Sequence, residues 1–93
     1  MIYFVYILAN QQNNVLHTGI TSDVEARVCE RHEQLMPRFN GHYDDYKLVY
    51  YEAWEDASVA MSREQRIKAG TRNEQVALID GFNRQWRDLY EEI

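Results

Sequence analysis

Five polar side chains stand where the neighbouring sequence favours apolar or special-geometry residues: Tyr6, His17, Arg27, Arg31 and Glu64. Tyr6 lies inside the apolar run Ile2 to Ala9, and His17 inside Val15 to Ile20. Glu64 falls four residues after Ala60 and three before Ile67, on the stripe that a helix turns toward its core. Singly, each has an ordinary role. Tyr6 reads as a core aromatic with its hydroxyl at the rim, His17 as a hydrogen-bonded strand residue, the arginines as ion-pair residues, and Glu64 as the buried partner of Arg27 or Arg63. Together they suit phosphodiester hydrolysis. That reaction needs a group to take a proton from water, a cation to hold the phosphoryl oxygens, and usually a metal on a carboxylate. Tyr6 or His17 can serve the first need, an arginine the second and Glu64 the third. One carboxylate suits Mg²⁺, which keeps most of its waters. His32 and His42 read as solvent-facing residues able to tune a groove.

The elements that must position these groups follow from pattern. Ile2 to Ala9 and Val15 to Ile20 read as a hairpin around Asn10-Gln11-Gln12-Asn13-Asn14, since Asn tolerates the left-handed region. Gly19 inside a strand signals a bulge or a close backbone approach. Ser22-Asp23-Val24-Glu25 is a capping box, opening a helix to about Leu35 with Arg27 and Arg31 four apart on one stripe. Pro37 stops it. Arg38 to Asp45 reads as a loop. Lys47 to Trp54 reads as a third strand, with Leu48, Tyr50 and Glu52 alternating against Val49 and Tyr51. Asp56 caps a further helix whose inward side carries Ala57, Ala60, Met61, Ile67 and Lys68, and Gly70 offers a left-handed stop. Thr71-Arg72-Asn73-Glu74 opens a short helix through Ile79 that Gly81 breaks, and Trp86, Leu89 and Tyr90 dock as a last helical turn. The order ββαβαα implies an α+β fold, a small sheet flanked by helices.

Composition narrows the function classes. A chain of 93 residues reads as one domain, 1–93, able to bury roughly 60% of its unfolded surface. At 45% hydrophobic and 27% charged it is neither disordered nor collagen-like. Its longest apolar run is too short for a bilayer and lacks signal-peptide flanks. The single cysteine, Cys29, excludes an internal disulfide framework and a multi-cysteine zinc site, and makes a reducing, cytoplasmic setting the default. The net charge of −5 runs against the usual balance of a nucleic-acid binder. It hides a basic stretch: Arg63, Arg66, Lys68 and Arg72 against Glu64 give a local +3 over residues 63–72. A solvated helix face is the plain reading of that stretch. No Gly-rich phosphate cradle is present.

The motifs resemble a known family. Phe4-Val5-Tyr6, followed after ten residues by His17-Thr18-Gly19, resembles the GIY-YIG nuclease signature. Thr21 to Arg27 resembles the helix start that carries that family's catalytic arginine. Tyr43 with Lys47 to Glu52 resembles its third-strand region, and Ser62-Arg63-Glu64-Gln65 its metal-binding glutamate segment. Ala77-Leu78-Ile79 and Trp86 to Tyr90 resemble the tail of its small, stand-alone bacterial members. The resemblance implies a three-stranded antiparallel sheet flanked by helices and a metal-dependent endonuclease acting on DNA. By position, Tyr6 helps activate the attacking water, Arg27 holds the scissile phosphate, and Glu64 binds one Mg²⁺ or Mn²⁺ that stabilises the leaving oxygen. Gly19 lets the backbone pass close to the site. Arg31, His32, Arg63 and Lys68 are the substrate-binding candidates around them. Asn83 corresponds loosely to a polar residue near the family's site. His17 replaces the second signature tyrosine; imidazole, with a reference pKa of about 6.5 against about 10 for phenol, accepts a proton more readily. Arg31 stands where family members often carry histidine, and lysines common after Phe39 and near the later helix's end are missing, which weakens backbone affinity and its salt dependence.

Two other readings use the same residues differently. One is a nucleic-acid-binding or regulatory module that keeps the scaffold without turnover. In that case DNA affinity survives loss of Glu64 while the unaltered chain cuts nothing. The other is a protein-interaction domain using its seven Tyr and two Trp as an adhesive surface. Substrate specificity would come from substrate shape or from a protein partner for targeting.

Overall fold

The structure, a computed structural model, describes residues 2–22 and 46–89. The expected Ser22–Glu25 capping box, the helix to Leu35 with Arg27, Cys29, Arg31 and His32, the loop to Asp45 and the terminal Tyr90 fall partly or wholly outside the described residues. Strand β1 (Tyr3–Asn10) is central, with β2 (Leu16–Thr21) on one side and β3 (Tyr46–Trp54) on the other. Both pairings are antiparallel. Helices α1 (Ala57–Ala69) and α2 (Arg72–Phe82) follow. Among the described residues this is an α+β fold with a three-stranded sheet.

Local chemistry explains these elements. Asn13 takes φ 59°, and the Asn10 side chain accepts from the backbone of Asn14 (2.9 Å) and Val15 (3.1 Å), closing the β1–β2 turn. Arg72 donates to the carbonyls of Asn13 and Asn14, tying the start of α2 to that turn. Asp56 caps α1 by accepting from Ser58 and Val59. Thr71 and Glu74 form the expected reciprocal capping box on α2.

The sheet has two packed faces. Val5, Ile7 and Ala9 point toward the helices and join Val49, Tyr50, Ala60, Ile67 and Ile79 in one core. Tyr6 and Leu8 point the other way and pack with Leu48 and Leu89. The alternation expected for β3 is interrupted: Ile7 lies opposite Tyr50 but Leu8 opposite Leu48, leaving Val49 as an extra residue. This bulge puts Leu48 and Tyr50 on opposite faces, although the simple period of two places them together. It lets Val49 and Tyr50 both enter the helix-side core.

Four other expectations differ from the structure. Gly70 has φ −72°, an extended rather than left-handed stop, and its N–H bonds the Ile67 carbonyl at 3.1 Å. Gly81 does not break α2, which continues through Phe82 to Asn83. A glycine costs a helix only about 1 kcal/mol. The buried Asn83 sets the stop instead, donating to the Val49 (3.1 Å) and Arg87 (2.7 Å) carbonyls and accepting from the Arg87 N–H. Met61 and Lys68 are exposed rather than inward; Ala60 and Ile67 suffice to seat α1. The tail, through Leu89, is irregular and not a helical turn. Leu48 donates to Asp88 (3.1 Å), and Leu89 donates to the Leu48 carbonyl (2.7 Å). The tail thus covers an otherwise open strand edge, which is the stronger demand on it.

Candidate active site

Tyr6, Gly19 and His17 share one sheet face. Tyr6 lies opposite Gly19, and His17 opposite Leu8, so Tyr6 and His17 are diagonal neighbours roughly 7–8 Å apart at the backbone. The Tyr6 ring lies across Gly19. A Cβ at position 19 would sit 2.5 Å from the Tyr6 hydroxyl oxygen and 2.6 Å from Cζ. The β1–β2 register is regular there, so Gly19 serves a close approach and not a bulge. The glycine is what lets the phenol cross the edge strand β2, although Tyr6 itself is only 6% exposed.

Glu64 stands on α1, over the other sheet face. It reaches the far end of β2, where it lines a cavity of ≈ 280 Å³ with Tyr3, Ile20, Thr21, Ser22 and Met61. Thr21 connects the two groups. By register it shares the face of Tyr6 and Gly19, and it also borders the Glu64 cavity. Its hydroxyl is buried, at 3% residue exposure, and has no hydrogen-bond partner among the described residues. Ser22, from which the expected Arg27 helix departs, lines the same cavity. Sequence reasoning passed over Thr21; the signal was its position two residues after Gly19, on the face of Tyr6.

A divalent ion fits this chemistry. Among the described residues no three His, Cys, Asp or Glu side chains gather into a cluster. An ion here would rest on the Glu64 carboxylate, with water completing its shell and Thr21 available to a bound water. Mg²⁺ accepts this kind of sparse protein ligation. Lys68 approaches Glu64 to 3.3 Å as an i, i+4 pair. Its side chain is 51% exposed, so the pair is screened and worth only ~0.3–0.5 kcal/mol, too little to lock the carboxylate.

The remaining candidates separate. Arg63 is not directed to the Glu64 cavity. Its Nε lies 2.9 Å from both Glu52 oxygens and an Nη 2.8 Å from one of them. Trp54 donates to the same carboxylate at 2.9 Å, and the Tyr50 hydroxyl donates to it as well. Burial alone would raise the Glu52 carboxyl, but hydrogen bonds from Arg63, Tyr50 and Trp54 outweigh it and hold the group below its ordinary 4.5. Burial, then the bond to Glu52, pushes Tyr50 up to about 12. This network fastens α1 to β3. With Arg63 on Glu52, Lys68 near Glu64 and Arg72 on the turn carbonyls, three of the four cations of the basic stretch are engaged within the chain. Asn83 is likewise committed to the backbone near β3. Arg27, Arg31 and His32 lie outside the described residues.

Comparison with known proteins agrees with this architecture. A UPF0213 protein of Clostridium perfringens is 32% identical over 90 residues, covering 97% of this chain and 96% of that protein. A UPF0213 protein of Haloquadratum walsbyi is 33% identical over 78 residues, covering 84% and 86%. The solution NMR structure of a UPF0213 protein from Bacillus halodurans superposes with a TM-score of 0.63 at 23% identity, over 92% of this chain and 90% of that one, and shares its fold. Residues 2–76 match the family described as the GIY-YIG catalytic domain. The chain therefore belongs to the GIY-YIG family.

Proposed function

We propose that this chain is a metal-dependent endonuclease that hydrolyses DNA phosphodiester bonds. The observation that carries this reading is the match of residues 2–76 to the GIY-YIG catalytic domain; Tyr6 laid across Gly19 and the Glu64 cavity at the end of β2 supply its candidate groups. Tyr6 helps activate the attacking water: its hydroxyl takes the water's proton while giving its own to the imidazole of His17. Arg27 holds the phosphoryl oxygens against the charge that develops as the new P–O bond forms and the bond to the leaving oxygen breaks. Mg²⁺ or Mn²⁺, when bound through Glu64, supplies charge stabilisation to the leaving oxygen. Arg31 and His32 extend the phosphate contacts. Arg63 and Lys68 act indirectly, by fixing α1 and by neighbouring Glu64. The setting is the cytoplasm, with any targeting supplied by substrate shape or a protein partner.

The test is cleavage of single-stranded, duplex and branched DNA with Mg²⁺ or Mn²⁺. Cutting by the unaltered chain is expected, with Tyr6→Phe and Arg27→Ala slower by about 10²-fold or more. A folded, metal-supplied protein that leaves all three substrates intact contradicts the proposal. The net charge of −5 favours one second reading, a binding module without turnover. It requires DNA affinity that survives Glu64→Ala and no cutting by the unaltered chain.

A further inference from the structure

Arg63 and Glu64 are consecutive on α1 but reach opposite edges of the sheet. One cross-strand row connects their targets: Val5 of β1 lies opposite Ile20 of β2 and opposite Glu52 of β3. Val5 packs toward the helices, so its two partners share that face. Arg63 grips Glu52 at one end of the row, and Glu64 lines its cavity with Ile20 at the other. The ends are two strand spacings apart, about 10 Å. Successive residues on a helix point about 100° apart, which lets this pair serve both ends. The next row repeats the link. Trp54, a donor to Glu52, lies opposite Tyr3, which lines the Glu64 cavity.

Apolar packing leaves the roll of α1 loosely set. The buried residues of this helix are Ala60 and Ile67, and Ala60 has no side chain beyond Cβ to resist rotation. Side chains extend about 5–6 Å from a helix axis, so a roll of about 20° would carry the Glu64 carboxylate roughly 2 Å. Metal ligation tolerates only about 0.2 Å. The Lys68 contact to Glu64, 3.3 Å long and half in water, is too weak a restraint. Glu52 supplies a firmer one. Its side chain is 13% exposed; Trp54 holds one of its oxygens and Tyr50 the other. Arg63 meets this anchored carboxylate through both Nε and an Nη, a two-point grip that fixes orientation as well as distance.

We propose that Glu52 is a positioning residue for Glu64: through Arg63 it sets the roll of α1, and so aims the Glu64 carboxylate into the cavity where a divalent ion binds. The proposal rests on the reading that Glu64 carries that ion, and adds to it the residue that holds Glu64 in place.

The test is Mn²⁺ binding without DNA, read from the free-ion signal in electron paramagnetic resonance. Glu64→Gln defines the share of binding that belongs to this site. Glu52→Gln keeps the size and removes the charge, whereas Arg63→Lys keeps the charge and removes the fork. Each should weaken Glu64-dependent Mn²⁺ binding by about tenfold or more, the range for groups that orient a metal's ligand. Combined, they should weaken it no further than the stronger single change, because both break one contact. Ile79→Val loosens the same core from α2; it should lower the melting temperature and leave Mn²⁺ affinity unchanged. Circular dichroism checks folding, and Arg63→Lys, the milder change, carries the test if Glu52→Gln does not fold. A purely structural network predicts that these variants shift the melting temperature and that none shifts Mn²⁺ affinity. That result, or additive losses in the combined variant, overturns the proposal and leaves Glu64 as the ion's carrier. If Glu64→Gln binds Mn²⁺ as the unaltered chain does, the ion reading itself fails and the positioning proposal falls with it.

Discussion

Gly19→Ala tests whether the close approach of Tyr6 to β2 shapes the site. Ordinary contact for a Cβ begins near 3.4 Å, whereas the new methyl would lie 2.5 Å from the Tyr6 oxygen, 2.6 Å from Cζ and 3.1 Å from Cε1. Two ring atoms are crowded as well as the hydroxyl oxygen, so rotation of the hydroxyl alone gives no relief. The ring cannot swing freely, because Tyr6 is 6% exposed and packs with Leu8, Leu48 and Leu89. Overpacking of this kind costs about 1–3 kcal/mol. The intrinsic strand effect of Gly→Ala runs the other way, favouring alanine by roughly 0.5–1 kcal/mol. With Tyr6 shortened to Ala, only that favourable part should remain. The intrinsic part cancels in a double-mutant cycle, so urea denaturation should give a coupling of about 1–3 kcal/mol between positions 6 and 19. Displacing the phenol should also slow DNA cleavage in Gly19→Ala. A coupling below about 0.5 kcal/mol, the noise of additive sites, would refute the claim that the phenol crosses β2 at Gly19.

Three further outcomes follow from the network and the tail. Glu52→Ala should destabilise the fold by about 2–4 kcal/mol in urea denaturation, somewhat below a fully buried pair because Arg63 keeps some access to water; an unchanged midpoint would contradict the network. Tyr50 has its folded pKa raised to about 12, so its share of stability is complete below pH 10 and fades as pH rises through 12, a loss of about 3 kcal/mol. The stability difference between the unaltered chain and Tyr50→Phe should narrow over that range, and a constant difference would count against the shift. Asn83→Ala should cost about 1–3 kcal/mol by stranding the Val49 and Arg87 groups, and should speed hydrogen exchange at the Leu89 amide; unchanged exchange would show that the tail is held by other means.

What the sequence made legible is local. The Asn-rich turn and the Asp56 and Thr71 caps follow from side chains that bond their own neighbouring backbone, so a few residues decide them. The resemblance around Tyr6, Gly19 and Glu64 named candidate residues for the same reason: each motif is short. The β3 bulge was hidden, because Val49 gains its place only when Ile79 and Ala60 arrive from later in the chain. The Glu52–Arg63 contact joins residues eleven apart on two elements, yet it left a trace. A carboxylate between Tyr50 and Trp54, at strand period, is as misplaced as Glu64 is on its helix. The Gly81 expectation erred because a helix end was judged from propensity, while the bonds of Asn83 to β3 set it. The irregular tail was unreadable without knowing that β3 is an edge.

The central claim is that the Glu64 carboxylate carries the ion that hydrolysis needs. Single-turnover cleavage of one labelled DNA in Mn²⁺, for the unaltered chain and for Glu64→Gln, tests it most directly. Glu64→Gln keeps the shape and removes the charge, so cleavage should fall by about 10³-fold while circular dichroism and DNA binding in EDTA stay unchanged. Equal cleavage by the two proteins would contradict the account.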